Sequence, residues 1–260
     1  MDLGINGKRA VVCGASKGIG RAVAERLARE GASLTLVART ASDLEAAARD
    51  IAAETGARIG TVAADLTSPE DRARVLAHCP IPDILIAHPG IPQRPIAYQN
   101  LTGDDWQWWM EAHFHAAMDL IQGYAPGMAE RGFGRIVNIS VSFIKFPQPN
   151  VGHSHGPRLA LAGAIASLAR EVAARNVTIN SVLPGLINTE ALRDALKARA
   201  DARGVPYETI VAEVVRTCPA GRIAEPEEIA DLVAMLAAGQ MGFMTAQNIV
   251  SDGGAYPGLF

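Results

Sequence analysis

The segment Cys13-Gly14-Ala15-Ser16-Lys17-Gly18-Ile19-Gly20 constrains the fold of this chain more than any other. It follows the apolar run Ala10-Val11-Val12 and opens a helical pattern from Arg21 to Glu30, so a strand must turn abruptly into a helix here. Gly14 permits the sharp turn, Gly18 lets backbone N–H groups approach a phosphate, and Gly20 lets the helix pack close to the sheet. The helix N-terminus behind them offers unpaired N–H groups and the positive end of its dipole. The loop from Gly14 to Gly20, with Ser16, Lys17 and Ile19 between the glycines, therefore reads as a cradle for a dinucleotide pyrophosphate. A glycine turn also serves purely structural ends; the flanking strand and helix favour the nucleotide.

Apolar runs then recur at Ala10 to Cys13, Ser33 to Ala38, Ile59 to Ala63, Ile84 to Ala87, Arg135 to Ile139, Thr178 to Leu183 and Asn248 to Val250. Amphipathic helical patterns separate them. Near-continuous apolar strands between helices call for an α/β, doubly wound (Rossmann) parallel seven-stranded sheet with helices on both faces. A length of 260 residues with 49% apolar content suits one domain over 1–260. The longest interval without a strand, Pro184 to Gln247, carries helical patterns over Glu190 to Arg203, Tyr207 to Arg216 and Glu227 to Ala238. Ligands of such sheets sit beyond the carboxyl ends of the strands, so the region around 186–216 is expected to form a substrate lid.

The GxxxGxG spacing resembles the short-chain dehydrogenase/reductase family, and further motifs of that family follow in order over essentially the whole chain. They are Asp65-Leu66 after the third strand, Ala87-His88-Pro89-Gly90 as a degenerate NNAG turn, Pro184-Gly185-Leu186-Ile187-Asn188-Thr189 as PGxxxT, and Asp252-Gly253-Gly254. The resemblance implies a nicotinamide cofactor held by Gly14, Ser16, Lys17, Gly18, Ile19, Gly20, Asp65, Leu66, Ala87, Gly90, Arg158, Pro184, Gly185, Ile187 and Thr189. Asp65 in that position caps the adenine edge; its alternative is N-cap of a short turn near Thr67-Ser68-Pro69. The second strand ends Ala38-Arg39-Thr40 with no carboxylate before Asp43, and Lys17 adds a cation expected on the same side. A guanidinium grips a phosphate with two hydrogen bonds, so NADP(H) is favoured over NAD(H). Ordinary solvated surface cations are the competing reading of this pair.

Members of the family usually reduce a carbonyl with an Asn, a Ser and the Tyr and Lys of a YxxxK helix. Aligned on Asp105-Trp106, on Gly134 to Ser140 and on Ser167 to Glu171, these positions hold His113, Val141, Ser154 and Arg158. SxxxR in place of YxxxK marks a divergent branch. Arg158 keeps a cation one helical turn from Ser154, while a serine hydroxyl is a far weaker acid than a phenol. His88, His113, His153 and His155 are substitute groups, because an imidazole titrates near neutrality; His113 ranks first and His155 second as proton donors. Ser142 replaces the missing hydroxyl if the strand bulges by one residue. The competing reading of the histidines is structural, and that of Ser154 is N-cap of a helix with Pro157 in its first turn.

Trp106, Trp108 and Trp109 are expected in the core or at a subunit contact, and Tyr98 near substrate. The charged cluster Arg222 to Glu228 reads as structural, with Pro226 starting a helix. A formal net charge of −3 without a basic run argues against nucleic acid. The absence of a membrane-length apolar stretch, and of a signal-like pattern after Met1, points to a cytoplasmic protein with no membrane partner. Cys13, Cys79 and Cys218 lack metal-ligand spacing, so no metal site is expected. The resemblance implies a homo-oligomer, tetramer or dimer, with the apolar tail Ala255 to Phe260 buried in it. The leading expectation is an NADP(H)-dependent oxidoreductase acting on a small carbonyl or alcohol. Its lid residues Val205 to Tyr207 and the loop Ile144 to Pro147 suggest an apolar or aromatic substrate. The alternatives are a non-redox enzyme on the same fold, or a nucleotide-binding protein without turnover.

Overall fold

The apolar runs become strands β1 (Arg9–Cys13), β2 (Ser33–Ala38), β3 (Ile59–Ala63), β4 (Ile84–Ala87), β5 (Gly134–Ile139), β6 (Val177–Pro184) and β7 (Asn248–Ser251) in a computed structural model that describes residues 2–91 and 94–259. Expectations that touch Met1, Pro92 and Phe260 lie outside the described residues. All seven strands are parallel, in the order β3-β2-β1-β4-β5-β6-β7. Chain connections of this kind need helices on both faces, and the sequence supplies them as α1 (Gly18–Arg29), α2 (Ala41–Thr55), α3 (Pro69–His78), α4 (Gly103–Met110), α5 (Ala116–Arg131), α6 (Gly152–Val172), α7 (Glu190–Arg203), α8 (Tyr207–Val215) and α9 (Pro226–Ala237).

Side-chain alternation sorts each strand between two cores. Ala10 and Val12 of β1 join Val23 and Leu27 of α1, Leu44 of α2 and Val233 of α9 on one face. Val11 and Cys13 join Val75 of α3, Leu120 and Ile121 of α5 and Ile165 of α6 on the other. The helices α7 and α8 carry a small core of their own around Leu196, Ala200 and Ile210. Among the described residues no helix is long and apolar enough to cross a membrane.

The sheet order reverses between β1 and β4, and the loops after these two strands meet there. A Cβ on Gly14, whose φ is +64°, would stand 2.6 Å from the His88 carbonyl oxygen; one on Gly20 would stand 2.2 Å from the Gly14 carbonyl oxygen. These approaches exclude any side chain and bring the start of α1 against the turn after β4.

Several local expectations are corrected. Ser154 is not an N-cap: α6 begins at Gly152 with Val151 before it, and Pro157 lies inside the helix, beyond its first turn. The fourth helix is not continuous, because a π-helical turn, Glu111–His115, separates α4 from α5 and contains His113. Of the tryptophans Trp109 is buried, whereas Trp106 and Trp108 are half exposed and lie outside the core. The β5–β6 register runs unbroken to Ile139↔Val182, with the Ser140 N–H donating to the Val182 carbonyl, so no bulge moves Ser142 into place. Ser68 caps α3, and Asp65 caps the short turn before it, its Oδ1 accepting from the Thr67 N–H and hydroxyl, which agrees with the turn-capping reading of Asp65. Glu225 and Glu228 form a capping box on α9 and Arg222 pairs with Glu228, in keeping with a structural role for that cluster.

Replacing Gly20 by alanine drives a methyl group into the Gly14 carbonyl and is expected to cost about 1–3 kcal/mol or more. Gly163→Ala, in exposed mid-helix of α6 where a Cβ meets nothing, is expected to add roughly 0.5–1 kcal/mol. Urea denaturation of both variants checks the contrast; equal effects would contradict the packing described.

Candidate active site

The cradle is built from three chain segments. The loop Gly14 to Gly20 ends at the N-terminus of α1, where a Cβ on Gly18 (φ +57°) would sit 3.2 Å from Thr189 Cγ2. Thr189 caps α7 by accepting from the Leu192 N–H at 3.3 Å. Pro184 and Gly185 continue from β6 against β7, with the Gly185 N–H donating to the Ser251 carbonyl, and Ile187 is buried. Leu66 is fixed from behind: the buried Arg72 donates to its carbonyl at 2.9 Å and to Glu111 and Asp119 at 3.0 and 2.7 Å. Ala87 is buried at the end of β4, and Gly90 closes the turn beyond it. Ser16 and Ile19 are half-buried in the loop. Arg39 is exposed at the end of β2. Lys17, expected beside Arg39, is ion-paired instead with Glu190 at the start of α7. The crowded glycines and convergent backbone fit a dinucleotide pyrophosphate, which needs close backbone approach and a helix N-terminus.

Beyond the cradle, α6 and the π turn bring a polar cluster together under the carboxyl edge of the sheet. Arg158 Nε donates to Ser154 Oγ at 3.4 Å, as the one-turn spacing predicts, and its Nη2 lies 3.5 Å from His113 Nε2 and from the Ile91 carbonyl oxygen. Ser154, His113 and His155 are fully buried and Arg158 is 8% exposed. His153 Nε2 bonds the Arg94 carbonyl at 3.0 Å, and the Trp109 ring packs 5.0 Å from His113 and 4.6 Å from His153. The structure thus groups Ser154, Arg158, His113, His153 and His155, with His88 and His155 both within electrostatic reach of Arg158. Ser142 is buried at the start of a short helical turn after β5 and is not among the hydrogen-bond partners of Arg158.

Burial followed by the Arg158 charge pushes His88 and His155 down to about 4 and His113 down to about 2. These three imidazoles are neutral at pH 7, which corrects the expectation that they titrate near neutrality. Burial also lowers Arg158, to about 10, and it stays a cation.

Three features escaped sequence reasoning. Ser140 presents a buried hydroxyl without a partner at the end of β5. Trp109 forms one wall of the cluster. Phe143, Phe146 and Tyr256 form another: the Phe143 ring lies 6.2 Å from His155 and 5.2 Å from Phe146, which is 5.7 Å from Tyr256. Of the last, only Phe146 lay in the loop Ile144 to Pro147 that the sequence had pointed to. Tyr98 is 83% exposed and contributes to neither wall.

An unfolded histidine titrates near 6.5, so below that pH the unfolded chain binds protons that His88, His113 and His155 refuse in the folded state. Their contribution is complete above about pH 6.5 and is lost as pH falls toward 4, with a limiting slope of about 1.4 kcal/mol per pH unit for each group. Urea denaturation between pH 7 and 5 is expected to show this loss, and His113→Asn to flatten it by one proton.

A profile of the family described as enoyl-(acyl carrier protein) reductase matches residues 14–256. The chain is 33% identical over 260 residues to a 3-oxoacyl-(acyl-carrier-protein) reductase of Vibrio cholerae, covering 98% of this chain and 99% of the relative. L-sorbose reductase of Gluconobacter frateurii, solved with NADPH and L-sorbose, superposes with a TM-score of 0.95 at 31% identity over 100% of both chains. A 3-oxoacyl (acyl-carrier-protein) reductase of Agrobacterium tumefaciens, solved with NADP bound, gives a TM-score of 0.87 at 29% identity over 97% of this chain and 95% of the other. With its seven-stranded doubly wound sheet, its glycine cradle and relatives matched end to end, the chain belongs to the short-chain dehydrogenase/reductase family of oxidoreductases.

Proposed function

We propose that the protein is an NADP(H)-dependent oxidoreductase that interconverts a small carbonyl and its alcohol with a catalytic set built on Arg158 and Ser154. The observation that supports this best is the juxtaposition of an intact dinucleotide cradle with a buried cation and hydroxyl on α6. The nicotinamide supplies or accepts a hydride at the carbonyl carbon. Arg158 holds a fixed positive charge beside the oxygen, where reduction builds negative charge, and in a buried site such a charge acts strongly. Ser154 Oγ, held by Arg158 Nε, hands its proton to that oxygen and is refilled from solvent. Neutral His113 accepts from Arg158 Nη2 and keeps the guanidinium aimed; as an acid it is secondary, because its imidazolium is not populated at pH 7. The aromatic wall of Phe143, Phe146 and Tyr256 favours an apolar or aromatic substrate, with α7 and α8 as its lid.

Arg39 and Lys17 favour the 2′-phosphate. The Lys17–Glu190 pair is exposed and screened by solvent, whereas a charge-assisted bond to phosphate contributes roughly 1.5–3 kcal/mol, so a 2′-phosphate competes for Lys17. The half-exposed Trp106, Trp108 and Leu159 on α4 and α6, and Leu259 in the tail at 93% exposure, favour a homodimer or tetramer. Light scattering at micromolar protein is expected to show more than one subunit.

Fluorescence titration is expected to show NADPH binding about tenfold to a hundredfold tighter than NADH, with Arg39→Asp erasing the difference. Ser154→Ala is expected to lower turnover about 10²–10⁴-fold at unchanged NADPH affinity, and His113→Asn to lower it less. Tight NADPH binding with no oxidation across a broad carbonyl panel would favour a nucleotide-binding protein without turnover.

A further inference from the structure

We propose that the substrate carries a carboxylate, so that the reaction is the reduction of an oxo acid, or the oxidation of the matching hydroxy acid, with Arg158 as the carboxylate's anchor. This rests on the oxidoreductase reading of the same site.

The chain buries three guanidinium groups, and two of them show how this fold satisfies such a group. Arg135, fully buried, donates to the carbonyls of Ala238, Gly134, Asn176 and Gly239 at 2.8–3.0 Å and to Asn176 Oδ1 at 3.2 Å. Arg72, 3% exposed, is held by Glu111, Asp119 and the Leu66 carbonyl at 2.7–3.0 Å. Arg158 is as well hidden, yet its three contacts are 3.4, 3.5 and 3.5 Å, at the outer limit of hydrogen bonding and far from the short bonds that charged donors make. Their acceptors are a hydroxyl, one peptide carbonyl and an imidazole. Nη1 donates to no described residue, and among the described residues no carboxylate lies within 4.0 Å of the group.

A buried charge without a partner is costly, and folds retain one where a ligand completes it. The surroundings specify the sign and shape of that ligand. Ser154 does not ionise near neutrality. His113, which touches the guanidinium, and His88 and His155 around it are neutral and offer no counter-charge. The Nη1 and Nη2 edge, weakly engaged, is the planar fork that receives a carboxylate bidentately. In a 2-oxo acid the carbonyl adjoins the carboxylate, so Arg158 grips the acid group while Ser154 reaches the reacting oxygen. Phe143, Phe146 and Tyr256 then face the rest of the molecule.

The test uses the full-length protein saturated with NADP+ and compares phenylacetate with phenylacetamide by calorimetry and by the fluorescence of Trp109. Phenylacetate is expected to bind saturably and at least tenfold tighter than the amide, and Arg158→Gln to remove at least that preference. Steady-state kinetics with NADPH should likewise favour phenylpyruvate over its methyl ester at least tenfold in kcat/KM. Arg158→Gln is expected to melt no lower than the parent, since it removes an unmatched cation; if it does not fold, the acid against amide comparison on the unaltered protein stands alone. Equal binding of acid and amide, or binding of neither, overturns the proposal. Reduction of neutral ketones without carboxylate preference overturns it and leaves the oxidoreductase reading intact. Arg158-dependent carboxylate binding with no carbonyl reduced supports the anchor and sinks the oxidoreductase reading.

Discussion

The contact between Gly20 and the Gly14 carbonyl oxygen is the constraint on which the site depends. With room for nothing larger than hydrogen at residue 20, α1 starts directly against the end of β1. That closeness aims the helix N-terminus at the edge where β1 and β4 part, and it sets Gly14 against His88 on the turn after β4. A side chain at Gly14 pushes the β1 and β4 loops apart, and one at Gly20 pushes α1 off the end of β1. The consequence reaches past the cradle, because the β4 turn carries His88 toward Arg158, so one crowded backbone contact joins the nucleotide loop to the polar cluster.

The cluster is held from the opposite side by the π turn. An extra residue in the helical ladder at Glu111–His115 rotates α5 relative to α4, and the turn buries His113 against Arg158 while Glu111 binds Arg72. Arg72 in turn holds the Leu66 carbonyl, so the π turn that carries His113 also anchors the loop after β3. A helical irregularity that looks like a local defect thus connects two regions of the site, a use to which such turns are often put.

Much of this was legible in the residues. The strands were readable because a parallel sheet covered on both faces demands uninterrupted apolar runs, and each run such as Ile84 to Ala87 stands between clear helical patterns. The cradle was readable because close approach admits only glycine. Ser154 and Arg158 were found as a pair because the resemblance to the family places the tyrosine and lysine of its YxxxK helix at these two positions. The π turn at His113 was not readable, since it leaves no mark in hydrophobic period. Neither was the neutrality of His88, His113 and His155: imidazoles near a cation look titratable in a sequence, and only burial, a property of the assembled structure, decides otherwise. Ser154 misled as a cap because serine serves caps and sites alike, and nothing local distinguishes Val151 as the true boundary of α6.

The contrast among the buried arginines carries the argument from fold to chemistry. Carbonyls at the ends of β5 and α9 enclose Arg135, and carboxylates from α5 and the π turn enclose Arg72, so both charges are matched by the fold itself. Either arrangement was available to α6, where one acidic residue on a neighbouring helix would have neutralised Arg158. That carboxylate would also have stood beside the oxygen that reduction makes negative, where a like charge raises the barrier. An unmatched guanidinium costs the resting protein stability, but it leaves full positive charge for whatever anion occupies the site, whether a substrate acid group or an alkoxide forming during hydride transfer. The neutral histidines serve the same end, because they fill the pocket with polar surface without adding cations that would oppose Arg158 or anions that would quench it.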